Sequence, residues 1–595
     1  MYKNLKQIVY KIYGFVSALK YPKALYLSFK YSFNQKILTN KEHMVLASNW
    51  LVDIQNGDGG YARKFSLISG RDDSYIETTG YIIPTLLNMA KYFNENSYKK
   101  SAIKAGEWLL NIQNSDGSFS EIDDNRPFAF DTGQVLIGLN QLFLETEDER
   151  YQEAAKRASY WLADNQESDG SWEMVAYNRQ KHSYYTRVSS AMLAYALVEN
   201  DTYIEKQALK NIEWVVSQQQ ENGYFNHASF LEEVPAYLHT LIYILEGLLD
   251  VYEMTKDEKI LEVILRNANR LKEINLGDGV LLCSQYNSDF RCTNGERCIT
   301  GLAQWAGVCL RLFEITEDKN YKEIAISTLF YLKSKQIQEG GVLKGALSAS
   351  VPFWGRYGAF SFVNWGNKFF IDSLLLLDKY KLDIKEEQEY FVSLAFSLNE
   401  TVVYDALTAM DRAYLKKIDD YFKPFKEQSL TLLDLGCGRG RFLDYFTQNY
   451  PKWKVIGVEP TFEKEGSILK GSAYDIPVES NSIDILFSIE VLQHTYIDDS
   501  MREIERVLKK EAHLVIGERN PWSVLGILKP LLELKGRWMY PWDSPFREKW
   551  YGKSQWRDIF GKYNIEMKQI ETINNPRDKK VKFLNRYYFM VGEMR

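Results

Sequence analysis

The chain has 595 residues, 45% of them hydrophobic and 26% charged, with a formal net charge of −6. That is an ordinary globular balance, long enough for several domains, and it excludes an overall nucleic-acid-binding character. Five cysteines (283, 292, 298, 309 and 437) with no C-x-x-C pair predict a reduced, cytoplasmic protein without a bound metal, and no run of 18 apolar residues predicts a membrane-spanning helix.

Residues 1–40 form a basic, aromatic segment with seven lysines and no acid. Lysines interrupt its apolar stretches, so it does not read as a signal peptide. Two readings stand: a segment lying on an anionic membrane surface, or a helix packed on the next domain with its lysines in water.

From residue 41 to about 380 one frame recurs: an aromatic residue, Gln five residues on, Asp three further, then Gly. It fits Trp50/Gln55/Asp58/Gly59, Trp108/Gln113/Asp116/Gly117, Trp161/Gln166/Asp169/Gly170 and Trp214/Gln219/Asn222/Gly223. Weaker copies are Arg270/Asn275/Asp278/Gly279 and Tyr331/Gln336/Glu339/Gly340. The intervals between the Asp positions are 58, 53, 53, 56 and 61, the mark of stacked supersecondary units. Each unit holds two helical stretches, the second more apolar, as in "IETTGYIIPTLLNMAKYF" (76–93) and "VPAYLHTLIYILEGLLDVYE" (234–253). Six pairs predict an all-α (α/α)6 toroid, apolar helices inside and Trp/Gln helices outside. Trp then fills space between helices and Gln bonds backbone at the turn.

The phrase Q-x-x-D-G-aromatic resembles the repeat of squalene and hopene cyclases, and the barrel is similar to those of glycoside hydrolases, polysaccharide lyases and uronate epimerases. The D-x-D-D acid that the cyclase resemblance implies is missing, as is the Asp/Cys/His zinc site of protein prenyltransferases. Function must then reside in the loops that enter the inner helices. Five of these six carry arginine (Arg71, Arg126, Arg179 and Arg187, Arg291 and Arg297, Arg356), interleaved with rings such as Trp354 and Trp365. Rings stack on sugar faces, and forked guanidinium groups favour carboxylate or phosphate. Arg126, Arg187, Arg291, Trp354, Arg356 and Trp365 are therefore expected to bind a glycan, anionic or lipid-linked. Candidate chemistry is open between a hydrolase using Glu77, Asp131 or Glu232, a lyase or epimerase using His182, Tyr184, Tyr185, His227 or His239, and a module that only binds.

The period then disappears, and 381–428 reads as linker helices. "LTLLDLGCGRGRFLDYF" (430–446) is a strand ending in glycines before a helix, which lets backbone approach a ligand and presents free N–H groups. "KVIGVEP" ends a second strand in Glu459, nineteen residues past Gly440, placed to bind ribose hydroxyls. A fourth-strand phrase follows at 482–495, then a helix and a fifth strand within 503–518. Residues 429–595, a Rossmann-like α/β domain, thereby resemble a class I S-adenosylmethionine-dependent methyltransferase. The resemblance implies that Asp434, Gly436, Cys437, Gly438 and Gly440 border the methionine part, Glu459 the ribose, and Ser472 and Ala473 the adenine. Ser472 stands where the family usually has Asp. His494 follows the fourth strand and is the candidate base. The segment 537–556, dense in Trp, Tyr and Arg, is a candidate acceptor lid. Together these predict O-methylation of a sugar or glycan in surface polysaccharide biosynthesis, with a terpenoid methyltransferase carrying a degenerate cyclase domain as the alternative.

Overall fold

The computed structural model describes residues 2–32, 37–120, 126–278, 281–388, 390, 409–460, 466–519, 551–573 and 587–595. The chain divides into two units, Met1–Glu387 and Gln388–Arg595.

In the first unit, α1 (Tyr2–Ala18) and α2 (Pro22–Ser32) precede twelve helices: α3 (Asn40–Asp53), α4 (Ile76–Phe93), α5 (Asn96–Ile112), α6 (Ala129–Thr146), α7 (Glu149–Asp164), α8 (Thr186–Glu199), α9 (Thr202–Ser217), α10 (Leu238–Thr255), α11 (Glu258–Asp278), α12 (Ile299–Thr316), α13 (Lys319–Lys335) and α14 (Asn364–Asp378). The even-numbered helices from α4 to α14 each pack against the next, and α14 returns to α4. This is the expected (α/α)6 toroid, with the more apolar helix of each pair inside. Inner helices pass to outer ones by two-residue turns. A left-handed residue (Asn94, Glu147, Asn200, Lys256 or Glu317) is followed by an acid. In all five turns that acid caps the next helix: Glu95, Asp148, Asp257 and Asp318 each accept one backbone N–H, and Asp201 accepts two.

Outer helices pass to inner ones by long loops, and the repeated phrase lies there. Gln113 donates to the Gly117 carbonyl at 3.0 Å and to the Ala154 carbonyl of the next outer helix at 2.9 Å. Gln55, Gln166 and Gln219 repeat the arrangement. Gly117 has φ +95°, and a Cβ there would lie 2.4 Å from the Arg157 carbonyl oxygen. The frame is therefore a clamp between neighbouring outer helices. In the sixth unit the expected Gly340 does not fill this place: Gly345 does, at φ +93° with a Cβ position 1.9 Å from the Leu46 carbonyl oxygen. A longer turn moves the close approach five residues on.

Cys283 and Cys292 form a disulfide, against the expectation of an all-reduced chain. The short strands Gln285–Tyr286 and Cys292–Asn294 pair antiparallel, which brings the two Cα atoms to 5.9 Å. Cys298, Cys309 and Cys437 are free and buried. The start of the expected linker belongs to the toroid unit, where Glu387 is buried in an ion pair with Lys333 and accepts from Asn40 at 3.0 Å.

The second unit is a seven-stranded sheet: β1 (Thr431–Leu435), β2 (Lys454–Glu459), β3 (Ile468–Lys470), β4 (Ile483–Ile489), β5 (Leu508–Arg519), β6 (Ile565–Ile573) and β7 (Tyr587–Met594). The order is 3-2-1-4-5-7-6, parallel except for β7, which runs antiparallel to β5 and β6. Side chains alternate between two cores. Leu433, Val458 and Leu486 face α17 (Ile497–Val507) and α18 (Lys553–Lys562). Leu432, Ile485 and Phe487 face α15 (Ala409–Phe422) and α16 (Arg441–Asn449). Both faces of the sheet are covered, as a parallel sheet requires.

Candidate functional site

The carboxyl ends of β1 and β2 build the first site. Gly436 (φ +74°) donates its N–H to the Val458 carbonyl at 2.8 Å, and a Cβ there would sit 2.4 Å from Val491 Cγ2. Gly438 (φ +56°) donates to Glu459 Oε2 at 2.9 Å, and its missing Cβ faces open space. Gly438 thus presents open, left-handed backbone beside a carboxylate at the next strand end. Gly440 (φ +91°) starts α16. Asp434 is buried, and burial raises its carboxyl to about 8 although Arg441 draws it down. Arg441 is held by Asp411 at 3.2 Å.

Cys437 is buried, and burial pushes its thiol up, which removes it as a nucleophile at neutral pH. Ser472 and Ala473 lie buried beyond β3, where the Ser472 hydroxyl accepts the Tyr474 N–H at 3.2 Å. The serine in the acid's place thus has a local bonding role.

His494 ends a short turn after β4 and accepts from the Gln493 side chain at 3.1 Å. Two buried residues at the ends of β4 and β5 escaped sequence reading. Glu518, at the end of β5, accepts the Gln493 N–H at 3.2 Å, and burial beside Glu490 holds its carboxyl well above the usual range. Tyr414 is buried against Gly517, whose Cβ would meet its ring at 2.6 Å. The strand-end position of Glu518 is the one signal the sequence offered; Tyr414, within α15, carries none. Of the candidate lid 537–556, the part up to residue 550 lies outside the described residues; Trp556 is fully buried in the core.

In the toroid, the first turns of α4 and α6 place Glu77 and Asp131 on adjacent inner helices. Tyr75 donates to Glu77 at 2.9 Å, Tyr177 donates to Asp131, and the two phenol oxygens are 3.5 Å apart. Each carboxylate thus holds one phenol, and the two phenol–carboxylate pairs face each other across 3.5 Å. Burial and Asp131 hold the Tyr177 phenol well above its usual range. Tyr184 is buried beside this group, stacked on His182 at 4.7 Å, and its hydroxyl has no hydrogen-bond partner among the described residues.

The expected arginine cluster does not assemble there. Arg187 is buried, paired with Glu246 at 3.2 Å and bonded to Gln134 at 3.1 Å. Its charge belongs to the core between inner helices, because a guanidinium on an inner helix must find an acid on the next. Trp354 packs under Phe15 and Phe29, at 5.8 and 5.7 Å. Arg291 lines a separate surface hollow with Asn222, Arg270 and Asp289. Arg126 is exposed and stacked on Phe128 at 5.4 Å, while 121–125 lie outside the described residues. Arg356 is exposed and bonds Glu296 through its backbone. Trp365 donates to Tyr357 at 2.7 Å. His182 contacts the Ser229 and Tyr177 carbonyls with both ring nitrogens, each at 3.1 Å, which commits it to holding the loop. His239 is buried, drawn down to about 4 by burial, and bonded to Gln304 at 2.7 Å. Among the described residues no group of three or more His, Cys, Asp or Glu could hold a metal ion.

Residues 433–516 match a family described as "Methyltransferase domain", and residues 72–243 match "Squalene-hopene cyclase C-terminal domain". The second unit therefore carries an S-adenosylmethionine-dependent methyltransferase domain, and S-adenosylmethionine is its cofactor. Curated relatives are an uncharacterized methyltransferase-like protein of Schizosaccharomyces pombe, 25% identical over 143 residues (22% of this chain, 53% of the relative), and an uncharacterized methyltransferase of the same organism, 29% identical over 121 residues (16% and 43%). The chain spans about half the length of these relatives. Similar solved structures include an unsaturated glucuronyl hydrolase specific for heparin (15% identical, 58% of this chain and 98% of that one, TM-score 0.44). Another is the cellobiose 2-epimerase of Bacillus thermoamylovorans (11%, 55% and 95%, 0.45). A third is a putative sarcosine dimethylglycine methyltransferase of Galdieria sulphuraria (11%, 31% and 85%, 0.24).

Proposed function

We propose that the chain methylates a hydroxyl of a sugar or glycan, and that the toroid binds or modifies the same glycan. The observation that carries the methyl-transfer half is the open, left-handed Gly438 beside Glu459 at the strand ends. S-adenosylmethionine, when bound, supplies an electrophilic methyl group. The Gly436–Gly438 backbone and Asp434 would hold its methionine end, Glu459 its ribose, and the turn at Ser472 and Ala473 its adenine. Displacement at a sulfonium needs alignment more than activation, so most of the protein's contribution is positioning. His494 is the group that would take the hydroxyl proton, at the Nε2 that accepts from Gln493 in this structure, so the acceptor hydroxyl must displace the Gln493 amide there.

The glycan half rests on the facing pairs Tyr75–Glu77 and Tyr177–Asp131, set among Phe128, Tyr184 and His182. Rings for sugar faces and carboxylates for hydroxyls suit a neutral sugar better than the anionic one the arginines suggested. If the toroid is catalytic, these two carboxylates are its acid and base. Surface polysaccharide biosynthesis on a lipid-linked acceptor in the cytoplasm belongs to the same proposal. The match of 72–243 to a cyclase domain favours a second reading, a terpenoid acceptor. Incubation with methyl-deuterated S-adenosylmethionine and separate panels of glycans and polyprenoids, read by mass spectrometry, distinguishes them. Label on a sugar oxygen supports the proposal; label on polyprenoids alone overturns it.

A further inference from the structure

The helix α1 carries two apolar stripes, and only one is packed. Toward the toroid, Ala18 is buried, Phe15 meets the rings of Phe353, Trp354 and Phe360 at 6.0, 5.8 and 4.9 Å, and a Cβ on Gly14 would lie 2.3 Å from Phe360. Toward solvent, Val9, Ile12, Tyr13, Val16 and Leu19 follow the three-and-four spacing of one helix face and are 58–64% exposed. Tyr10 and Tyr26 extend the patch, at 49% and 62% exposed. A solvated helix would present polar side chains on this face, so the face has an occupant.

The surrounding charge says which. Residues 1–40 hold seven lysines and no acid. Lys20 and Lys23, at the junction of α1 and α2, are exposed and have no acidic partner among the described residues. Lys11 and Lys30 lean on Glu296 and Glu339 at the patch margin. Apolar and tyrosine side chains rimmed by lysine, on a helix lying flat against a domain, are the pattern that seats in the headgroup region of an anionic bilayer. Among the described residues no helix is long and apolar enough to cross a membrane.

We infer that the outer face of α1, with the α1–α2 junction, is a peripheral membrane-binding surface for anionic lipid. Its position ties it to the toroid. Phe15 and Phe29 pack on the loop before α14, and Tyr21 packs on Phe65 in the loop before α4 at 5.4 Å. The lipid face therefore lies at the ring end where the inner helices begin, the end that holds Glu77 and Asp131. A substrate carried on a lipid would be delivered to that end.

The test is co-flotation of the full chain with vesicles of phosphatidylcholine alone or with about one third phosphatidylglycerol. The inference expects flotation with the anionic vesicles and little with the neutral ones. A triple variant, Ile12→Ser, Tyr13→Ser and Val16→Ser, changes only exposed side chains and should reduce flotation about tenfold, as should Lys20→Gln with Lys23→Gln. Helical circular dichroism and a melting temperature matching wild type check that the toroid unit of the variants is folded. Wild-type protein that stays behind with both vesicle types overturns the inference, as does a triple variant that floats like wild type. Light scattering supplies a third arm: a wild-type dimer that the triple variant dissolves would assign the face to a second copy instead. Lipid binding is read directly, so its failure leaves the methyl-transfer proposal standing, and the converse holds.

Discussion

Gln336 and His43 close the ring. The Gln336 amide donates to the His43 carbonyl at 3.1 Å and to the Gly345 carbonyl at 3.0 Å, while its oxygen lies 2.5 Å from His43 Nδ1. His43 Nε2 faces the Leu38 N–H at 3.1 Å and can only accept there, so Nδ1 carries the proton. The ring is neutral, in keeping with a basicity that burial draws down to about 3. Both Gln336 amide hydrogens and both His43 ring nitrogens are thus engaged inside the protein. Gln336→Ala should destabilise the toroid by about 2–4 kcal/mol, because three buried polar groups lose partners, against about 1 kcal/mol for the half-buried Gln113→Ala. Urea denaturation of the two variants, followed by tryptophan fluorescence, checks the difference.

Lys333 and Glu387 form an ion pair with both side chains at 1% exposure or less. Removing one partner strands a charge away from water. Glu387→Ala should cost about 3–5 kcal/mol, whereas Lys333→Met with Glu387→Met should cost far less. Calorimetric melting of the single and double variants tests this. A double variant as unstable as the single would contradict it.

Asp434 gives a pH signature. Its folded carboxyl is raised to about 8, above the ordinary carboxylate value, chiefly by burial. The folded state therefore holds a proton that the unfolded chain releases near pH 4, and this group's contribution to stability falls as pH rises from about 4 to about 8. Cofactor affinity should move the other way, since the ionised carboxylate better suits a cationic ligand. Asp434→Asn should bind S-adenosylmethionine weakly at every pH and melt higher than wild type at pH 8. The readouts are affinity and melting temperature from pH 6 to 9.

Glu77 and Asp131 should act together. If the toroid modifies a glycan, Glu77→Gln and Asp131→Asn should each lower that activity about a hundredfold or more, with methyl transfer to a soluble acceptor unchanged. If it only binds, both variants should weaken glycan binding about tenfold and abolish no product. Glycan-array binding and product analysis on the same preparations separate the two.

The ring was readable because each unit repeats its turn chemistry. Trp50, Trp108, Trp161 and Trp214 are all buried, and each Gln clamp spans neighbouring outer helices. The strand-end turn at Gly436, Gly438 and Gly440 was readable because left-handed glycines have few substitutes. What escaped depends on partners distant in sequence. Arg187 is claimed by Glu246, 59 residues away. Cys283 meets Cys292 only through a hairpin with no strong strand signal. Gly345 replaces Gly340 because loop length, not residue type, decides where the chain returns to Leu46. Glu518 and Tyr414 meet only once β4, β5 and α15 are packed.

Methyl transfer by this chain depends on cofactor binding at Gly436, Gly438 and Glu459. The most direct test of that binding is calorimetric titration of S-adenosylmethionine into the full chain, the Gly436→Val variant and the Glu459→Ala variant. Saturable binding by wild type is expected. Gly436→Val should lose it, since a side chain there enters Val491, and Glu459→Ala should weaken it about ten- to a hundredfold. No heat of binding at millimolar cofactor, or equal affinity in all three proteins, would contradict the assignment.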